Sequence, residues 1–270
     1  MLQPFRDAAL LGAVQGVTEF LPVSSDGHLA LAELLFEPSD GGLTFNVMLH
    51  AGTLLATLFV LRGRVVALLV AFARGLSNPS LFRTTTAGRD AVCVVVASVP
   101  TAIIGLSLRN AVATWTTSPW AIGLGFSATS LVVLSTFWVR PGRLEQPTVL
   151  SALAIGFMQG LAVLPGLSRS GGTIATALWL GVRPERAFEL SFLMSLPAVA
   201  GAILLESRHV VGESFPVGPA LVGAAAALVT GGLALWALRH VVQSGRFFLF
   251  ALWTLPLAVA TLAMAAMWPR

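Results

Sequence analysis

The sequence predicts an all-α polytopic membrane protein, an inverted repeat built from six full transmembrane helices and two re-entrant helical hairpins. Three observations point there. Charge is scarce, with 16 basic and 12 acidic residues among 270, or 10% of the chain, while 56% of residues are hydrophobic; soluble domains carry roughly 25% charge. A water-soluble fold could not cover itself with so few charged groups, so most of the apolar surface must face lipid. Apolar segments also recur at the length of a membrane span, and two of them are broken midway by Pro, Ser and Gly.

The six uninterrupted segments lie near 43–61, 90–107, 118–139, 187–205, 217–239 and 247–268. Each approaches the roughly 17 to 25 helical residues that cross a hydrocarbon core. The interrupted segments are 6–36, broken at LPVSSDGH, and 148–182, broken at LPGLSRSGG. Each half is too short to span comfortably. A polar break at membrane depth is tolerated only when it is buried in protein or lines a wet cavity, which predicts two re-entrant hairpins.

The hairpins resemble one another. Gly12, Gln15 and Gly16 recur as Gly156, Gln159 and Gly160, and each set precedes Leu-Pro and a serine-rich turn (Pro22, Ser24 and Ser25; Pro165, Ser168 and Ser170). Each hairpin is followed by three spans, an odd number, so the second half, 148–270, should be inverted relative to the first, 1–140. The two breaks then enter from opposite faces of a single membrane domain covering 1–270.

Arginine placement sets the orientation. With 62–89 taken as a cytoplasmic loop, one side holds Arg62, Arg64, Arg74, Arg83, Arg89, Arg140, Arg143, Arg183, Arg186, Arg239 and Arg246, and the other only Arg6, Arg109, Arg208 and Arg270. Positive charge collects in cytoplasmic loops, so both termini are expected on the periplasmic or exterior side. The polar stretch 74–89 is expected to be a plain connection.

Other classes are set aside by composition. Every basic residue is arginine, and the pI near 11.2 reflects a small surplus of strongly basic groups. No basic amphipathic run or aromatic-basic interleaving accompanies it, so no nucleic-acid partner is expected. Cys93 is the single cysteine, which excludes an internal disulfide. The start MLQPFRDAAL lacks the basic and apolar regions of a cleaved signal peptide, and none is expected. A homo-oligomer is compatible with the sequence, and nothing in it requires one.

The first break reads QGVTEFLPVSSDGHLAL. Gln15 and Glu19, four apart, share a helix face, and the chain leaves that helix near Pro22. Ser24, Ser25 and Asp26 can cap the next helix, with Gly27 permitting close approach and His28 in its first turn. The second break reads LPGLSRSGGTIATA. Ser168, Ser170 and Thr173 offer hydroxyls, and Gly171 and Gly172 leave amides unobstructed, which suits an anion. Arg169 adds a guanidinium fork able to hold two phosphate oxygens. Together the breaks supply a phosphate cradle with Glu19, His28 and a serine for proton transfer or attack. By pattern alone, a catalytic site, a transport site and a purely structural role all remain open. His50, at the start of LHAGTL, is read as a structural hydrogen-bonding residue.

At these residues the chain resembles the undecaprenyl-diphosphatase family, the bacitracin-resistance phosphatases of the bacterial inner membrane. TEFLPVSSDGHL at 18–29 and PGLSRSGGTIA at 165–175 are similar to its two motifs, with LHAGTLLATLF at 49–59 and SFLMSLPAVAGA at 191–202 extending the likeness. The resemblance implies hydrolysis of undecaprenyl diphosphate to undecaprenyl phosphate and inorganic phosphate on the outer side of the membrane, recycling the carrier lipid of cell-wall synthesis. It implies a divalent cation, Mg2+ or Ca2+. By motif position it assigns the essential acid to Glu19, the motif serine to Ser25, the histidine to His28 and the phosphate-binding arginine to Arg169.

Two departures from the family pattern stand out. Gln15 occupies the place where many members carry a second glutamate; it can ligate a metal through its carbonyl but cannot act as a base near neutral pH. Asp26 stands where serine or threonine is common, and it either caps the short helix or adds a metal-facing carboxylate. Ser25, His28 and a metal-activated water are all compatible nucleophiles. The main alternative function is a transporter or flippase of polyprenyl phosphate lipids, which inverted repeats and paired broken helices also suit.

Overall fold

A computed structural model describes residues 3–35, 43–208 and 217–267. Helices account for nearly all of it: α1 (Gln3–Phe20), α2 (Ser25–Leu35), α3 (Leu43–Val60), α4 (Arg62–Ser77), α5 (Leu81–Thr84), α6 (Thr86–Trp115), α7 (Pro119–Ser135), α8 (Val149–Leu161), α9 (Arg169–Trp179), α10 (Pro184–Ser207), α11 (Val217–Gln243) and α12 (Ala251–Met267). Among the described residues five helices are long and apolar enough to cross a membrane: Thr86–Trp115, Pro119–Trp138, Pro184–Ser207, Val217–Gln243 and Phe247–Met267. A sixth crossing exists if Phe45–Val60 and Arg62–Ser77, bent by 83°, count as one span. The protein is therefore an all-α, multi-pass membrane protein. Large apolar side chains such as Leu252, Leu131 and Leu150 stand exposed on its flanks, as lipid contact requires.

The region 62–89, expected as a loop, is mostly helical, since α4 and α5 occupy it. The correction has a physical source. Between Arg64 and Arg74 the chain reads VVALLVAFA, a good helix-forming apolar run, and only the Asn78-Pro79 step and Thr84-Thr85 interrupt it. Thr85 then caps α6, its hydroxyl accepting from Gly88 N at 3.0 Å, so α6 starts earlier than the expected span at 90. Residue 36 of the first interrupted segment and residue 268 of the last span lie outside the described residues.

Both interrupted segments fold as two helices separated by a turn, at 21–24 and at 162–168. Their leading helices lie so close to partner helices that only glycine fits. A Cβ on Gly12 would meet the Gly223 carbonyl oxygen at 2.1 Å, and one on Gly16 the Thr230 hydroxyl at 2.1 Å. On the other side, a Cβ on Gly156 would meet the Ala97 carbonyl oxygen at 2.2 Å, and one on Gly160 the Ile104 Cβ at 2.9 Å. Thus α1 packs on α11, and α8 packs on α6.

A second polar layer lies away from the breaks. Arg186, buried on α10, donates to Asp90 Oδ1 on α6 at 2.6 Å, to Glu189, and to the Glu145 carbonyl oxygen at 3.0 Å; Arg64 reaches Glu189 at 2.8 Å. Each buried charge has an opposite partner, the condition under which charge survives in a low-dielectric interior. This network ties α4, α6, α10 and the connection before α8 together.

Candidate active site

The two helix breaks meet backbone to backbone. A Cβ on Gly27 would fall 2.7 Å from Gly166 Cα, and one on Gly125 would fall 2.0 Å from the Pro165 carbonyl oxygen. Gly166 has φ +85°, a left-handed conformation that glycine adopts without steric cost. Thr129 on α7 fastens the second break from behind, donating to the Gly166 carbonyl at 2.7 Å and accepting from Ser168 N at 2.8 Å.

Each short helix is capped by the serine that precedes it. Ser168 Oγ accepts from Gly171 N at 3.1 Å, and Ser24 Oγ accepts from Gly27 N at 3.2 Å. Ser24 has φ +66°, the single non-glycine residue with positive φ among those described. Such strain persists only where surrounding contacts over-determine it. Here the Ser24 carbonyl accepts from both His28 N at 3.2 Å and His28 Nδ1 at 2.8 Å.

Between the breaks lies a cavity of about 150 Å³, lined by Thr18, Glu19, Ser24, Ser25, Asp26, His50, Ser168 and Arg169 with apolar residues of α10 and the second break. This is well below the roughly 300 Å³ of a whole small-molecule site and is the size of a head-group site. Glu19 is its hub. One carboxylate oxygen forms an ion pair with Arg169 Nη2; the other accepts from Ser25 Oγ at 2.7 Å and from Gln15 Nε2 at 3.1 Å. A hydroxyl donating to a carboxylate is oriented for attack with its proton already aimed at a base. The guanidinium makes that one hydrogen bond among the described residues, so most of its fork is available to an anion.

Of the residues singled out from sequence, the cavity gathers Glu19, Ser24, Ser25, Asp26, Ser168 and Arg169. Gln15 is fully buried behind Glu19, and its Oε1 has no hydrogen-bond partner. Thr173 and Ser170 are buried and turned to structural tasks: the Thr173 hydroxyl donates to the Arg169 carbonyl at 2.8 Å and meets Ser191, and Ser170 meets Ser168 at 3.2 Å. Gly27 and Gly171 serve close packing; a Cβ on Gly171 would lie 3.3 Å from Pro22.

His28 stands apart from the cavity. It lines an apolar groove of about 680 Å³ with Val14, Val17, Leu21 and Trp253, and both ring nitrogens are engaged, Nδ1 by Ser24 and Nε2 by Trp253. The histidine in the cavity is His50, whose Nδ1 lies 3.4 Å from Gln15 Nε2. Sequence reading gave it a structural role. The small-residue helical stretch LHAGTL is a local signal, but the proximity of His50 to Gln15 arises only when α3 packs beside α1.

A divalent cation in the cavity would meet hard oxygen donors in the Asp26 and Glu19 carboxylates, whereas the Gln15 carbonyl, expected from the sequence as a further ligand, is buried outside the cavity lining. Among the described residues no three of His, Cys, Asp and Glu form a ready-made metal cage. That donor set suits a largely hydrated Mg2+ held by one or two carboxylates and the substrate's own phosphates.

Comparison with known proteins agrees with the geometry. The family described as Bacitracin resistance protein BacA matches residues 8–260. A protein of Desulforapulum autotrophicum named undecaprenyl-diphosphatase is 40% identical over 256 residues, covering 90% of this chain and 91% of its own. Proteins of the same name from Desulfosudis oleivorans, 40% identical over 93% of this chain and 94% of the relative, and from Carboxydothermus hydrogenoformans, 34% identical over 96% and 97%, extend the likeness over nearly the full length. With its two polar breaks inside the matched region, the chain belongs to the BacA family of bacitracin-resistance proteins.

Proposed function

We propose that the protein hydrolyses undecaprenyl diphosphate to undecaprenyl phosphate and inorganic phosphate at the cavity between the two helix breaks. The observation that carries this reading is the Ser25–Glu19–Arg169 chain: a hydroxyl aimed at a carboxylate whose other oxygen holds the one arginine that lines the cavity among the described residues.

Arg169, with the Ser168 and Ser24 turns, binds the terminal phosphoryl group. Ser25 Oγ attacks that phosphorus in line and passes its proton to Glu19, which hands it to the bridging oxygen as that P–O bond breaks and undecaprenyl phosphate leaves, so Glu19 is again a carboxylate. Water, deprotonated by Glu19, then cleaves the phosphoserine, releasing inorganic phosphate and returning the proton to Ser25. Asp26 and Glu19 would hold Mg2+ or Ca2+, which would supply charge neutralisation on the phosphate oxygens. His28 has both nitrogens occupied and so is assigned no proton-transfer role.

The finer architecture follows the same reading. The chain forms two inverted halves, each opening with a re-entrant hairpin. Support comes from the reciprocal packing, in which Gly12 and Gly16 meet Gly223 and Thr230 at the same spacing with which Gly156 and Gly160 meet Ala97 and Ile104. The cavity opens to the exterior: His50 lies early in α3 and Ala202 late in α10, both toward the arginine-poor end.

The test is phosphate release from undecaprenyl diphosphate by the purified protein in detergent, with Mg2+ or EDTA and with Arg169→Ala as control. Metal-dependent release that disappears in the variant is expected. Folded protein that releases none, yet moves polyprenyl phosphate between leaflets of a vesicle, would replace hydrolysis with lipid transport.

A further inference from the structure

We infer that Trp253 is a positioning residue for the hydrolysis, acting on Ser25 through His28 and Ser24, and that the same indole walls the channel in which the substrate's isoprenoid chain lies. The inference rests on the hydrolase reading above.

Trp253 sits on α12, 58% exposed on the flank of the protein and outside the lining of the polar cavity. Its indole N–H donates to His28 Nε2 at 3.1 Å, and the two rings lie nearly parallel, 8° apart with centroids separated by 6.3 Å. An indole nitrogen can only donate, so Nε2 must accept and the His28 proton must reside on Nδ1. That proton is the one Nδ1 presents to the Ser24 carbonyl at 2.8 Å. Phe126, edge-on at 5.4 Å, bounds the ring on another side. Trp253 thereby selects the tautomer that clamps Ser24 in its left-handed conformation, and the residue following that strained turn is Ser25.

The second half of the inference comes from the groove. Its walls are aliphatic and aromatic side chains, so a hydrocarbon chain finds complementary surface and a polar ligand does not. Thr18 lines both the groove and the polar cavity, so the two adjoin at this residue. A substrate with its diphosphate at Arg169 would run its chain past Thr18 along Val17 and Leu21 to Trp253.

The experiment separates the indole N–H from the indole face. Trp253→Phe keeps a ring and removes the donor; kcat for phosphate release should fall about tenfold, the worth of one positioning hydrogen bond, with KM nearly unchanged. In a His28→Asn background, whose amide can still donate to Ser24, Trp253→Phe should have no further effect. Trp253→Ala should raise KM severalfold for undecaprenyl diphosphate but not for dimethylallyl diphosphate, too short to fill the groove; Trp253→Leu supplies this arm if the alanine variant melts early in detergent. Wild-type kcat in Trp253→Phe, an undiminished effect in the His28→Asn background, or equal KM changes for both substrates overturns the inference. So does a His28→Asn enzyme as inactive as Arg169→Ala, which would make His28 a reacting group. Absence of phosphate release from the wild-type protein would instead remove the hydrolase reading itself.

Discussion

Ser25 Oγ donates a 2.7 Å hydrogen bond to Glu19 Oε2 across the break at Pro22, while the opposite oxygen of that carboxylate pairs with Arg169. One carboxylate therefore faces both the hydroxyl proposed to attack and the guanidinium proposed to hold the phosphoryl group. Ser25→Ala should lower kcat by about 10³-fold or more while leaving the Glu19–Arg169 pair and the melting temperature intact. Rapid-quench kinetics should detect a phosphoserine in the wild-type protein; equal turnover by Ser25→Ala would move the nucleophile elsewhere.

Arg169→Lys keeps the charge but loses the planar fork, and activity should fall at least about 100-fold. Arg169→Ala should also destabilise the fold by about 3 kcal/mol, because it leaves a carboxylate buried without its partner. Adding Glu19→Gln to Arg169→Ala should restore part of that loss, measured by thermal unfolding in detergent. Additive effects would mean that the pair is uncoupled.

Gly27→Ala places a methyl group 2.7 Å from Gly166 Cα and should separate the two breaks, abolishing activity even though no ionisable group changes. Gly63→Ala and Gly232→Ala meet nothing within 4 Å and should retain wild-type turnover. Full activity in Gly27→Ala would show that the breaks tolerate separation.

Asp26→Asn removes a carboxylate from the cavity wall and should raise the Mg2+ concentration needed for half-maximal activity severalfold, with EDTA abolishing turnover in both proteins. An unchanged metal titration would leave Asp26 a capping residue only.

Asp90→Ala removes one of the partners of the buried Arg186, which keeps Glu189 and the Glu145 carbonyl, and should cost about 1 to 2 kcal/mol of stability. The molecules that remain folded should keep normal kcat and KM, since this layer contributes nothing to the cavity lining. A lower kcat at full occupancy of the fold would connect the two polar layers.

The long helices and the two breaks were legible because their signals are local: apolar length, and Pro22 and Pro165 followed by small polar residues. Helix α4 was not, since Arg62 and Arg64 look like the end of a span, whereas the chain turns by 83° and continues as helix. In the site, Glu19 and Ser25 are near in sequence, and Arg169 was marked by its glycine-rich setting. The convergence of those residues on one cavity, and the separation of His28 from it, depend on tertiary packing. The indole that engages His28 comes from α12, far along the chain, and no periodicity announces it. His50 likewise reaches Gln15 only through the packing of α3 beside α1.

The ion pair of Glu19 with Arg169 joins residues 150 positions apart, so the first helix break is synthesised long before its counter-charge exists. At about 5 to 20 residues per second the ribosome needs roughly ten to thirty seconds to supply the arginine. During that interval an ionised glutamate cannot settle cheaply in hydrocarbon. A segment carrying Glu19 is therefore expected to keep that carboxylate in contact with water until its counter-charge is made, so the opening segment of the protein reaches its final place only once the second break is present.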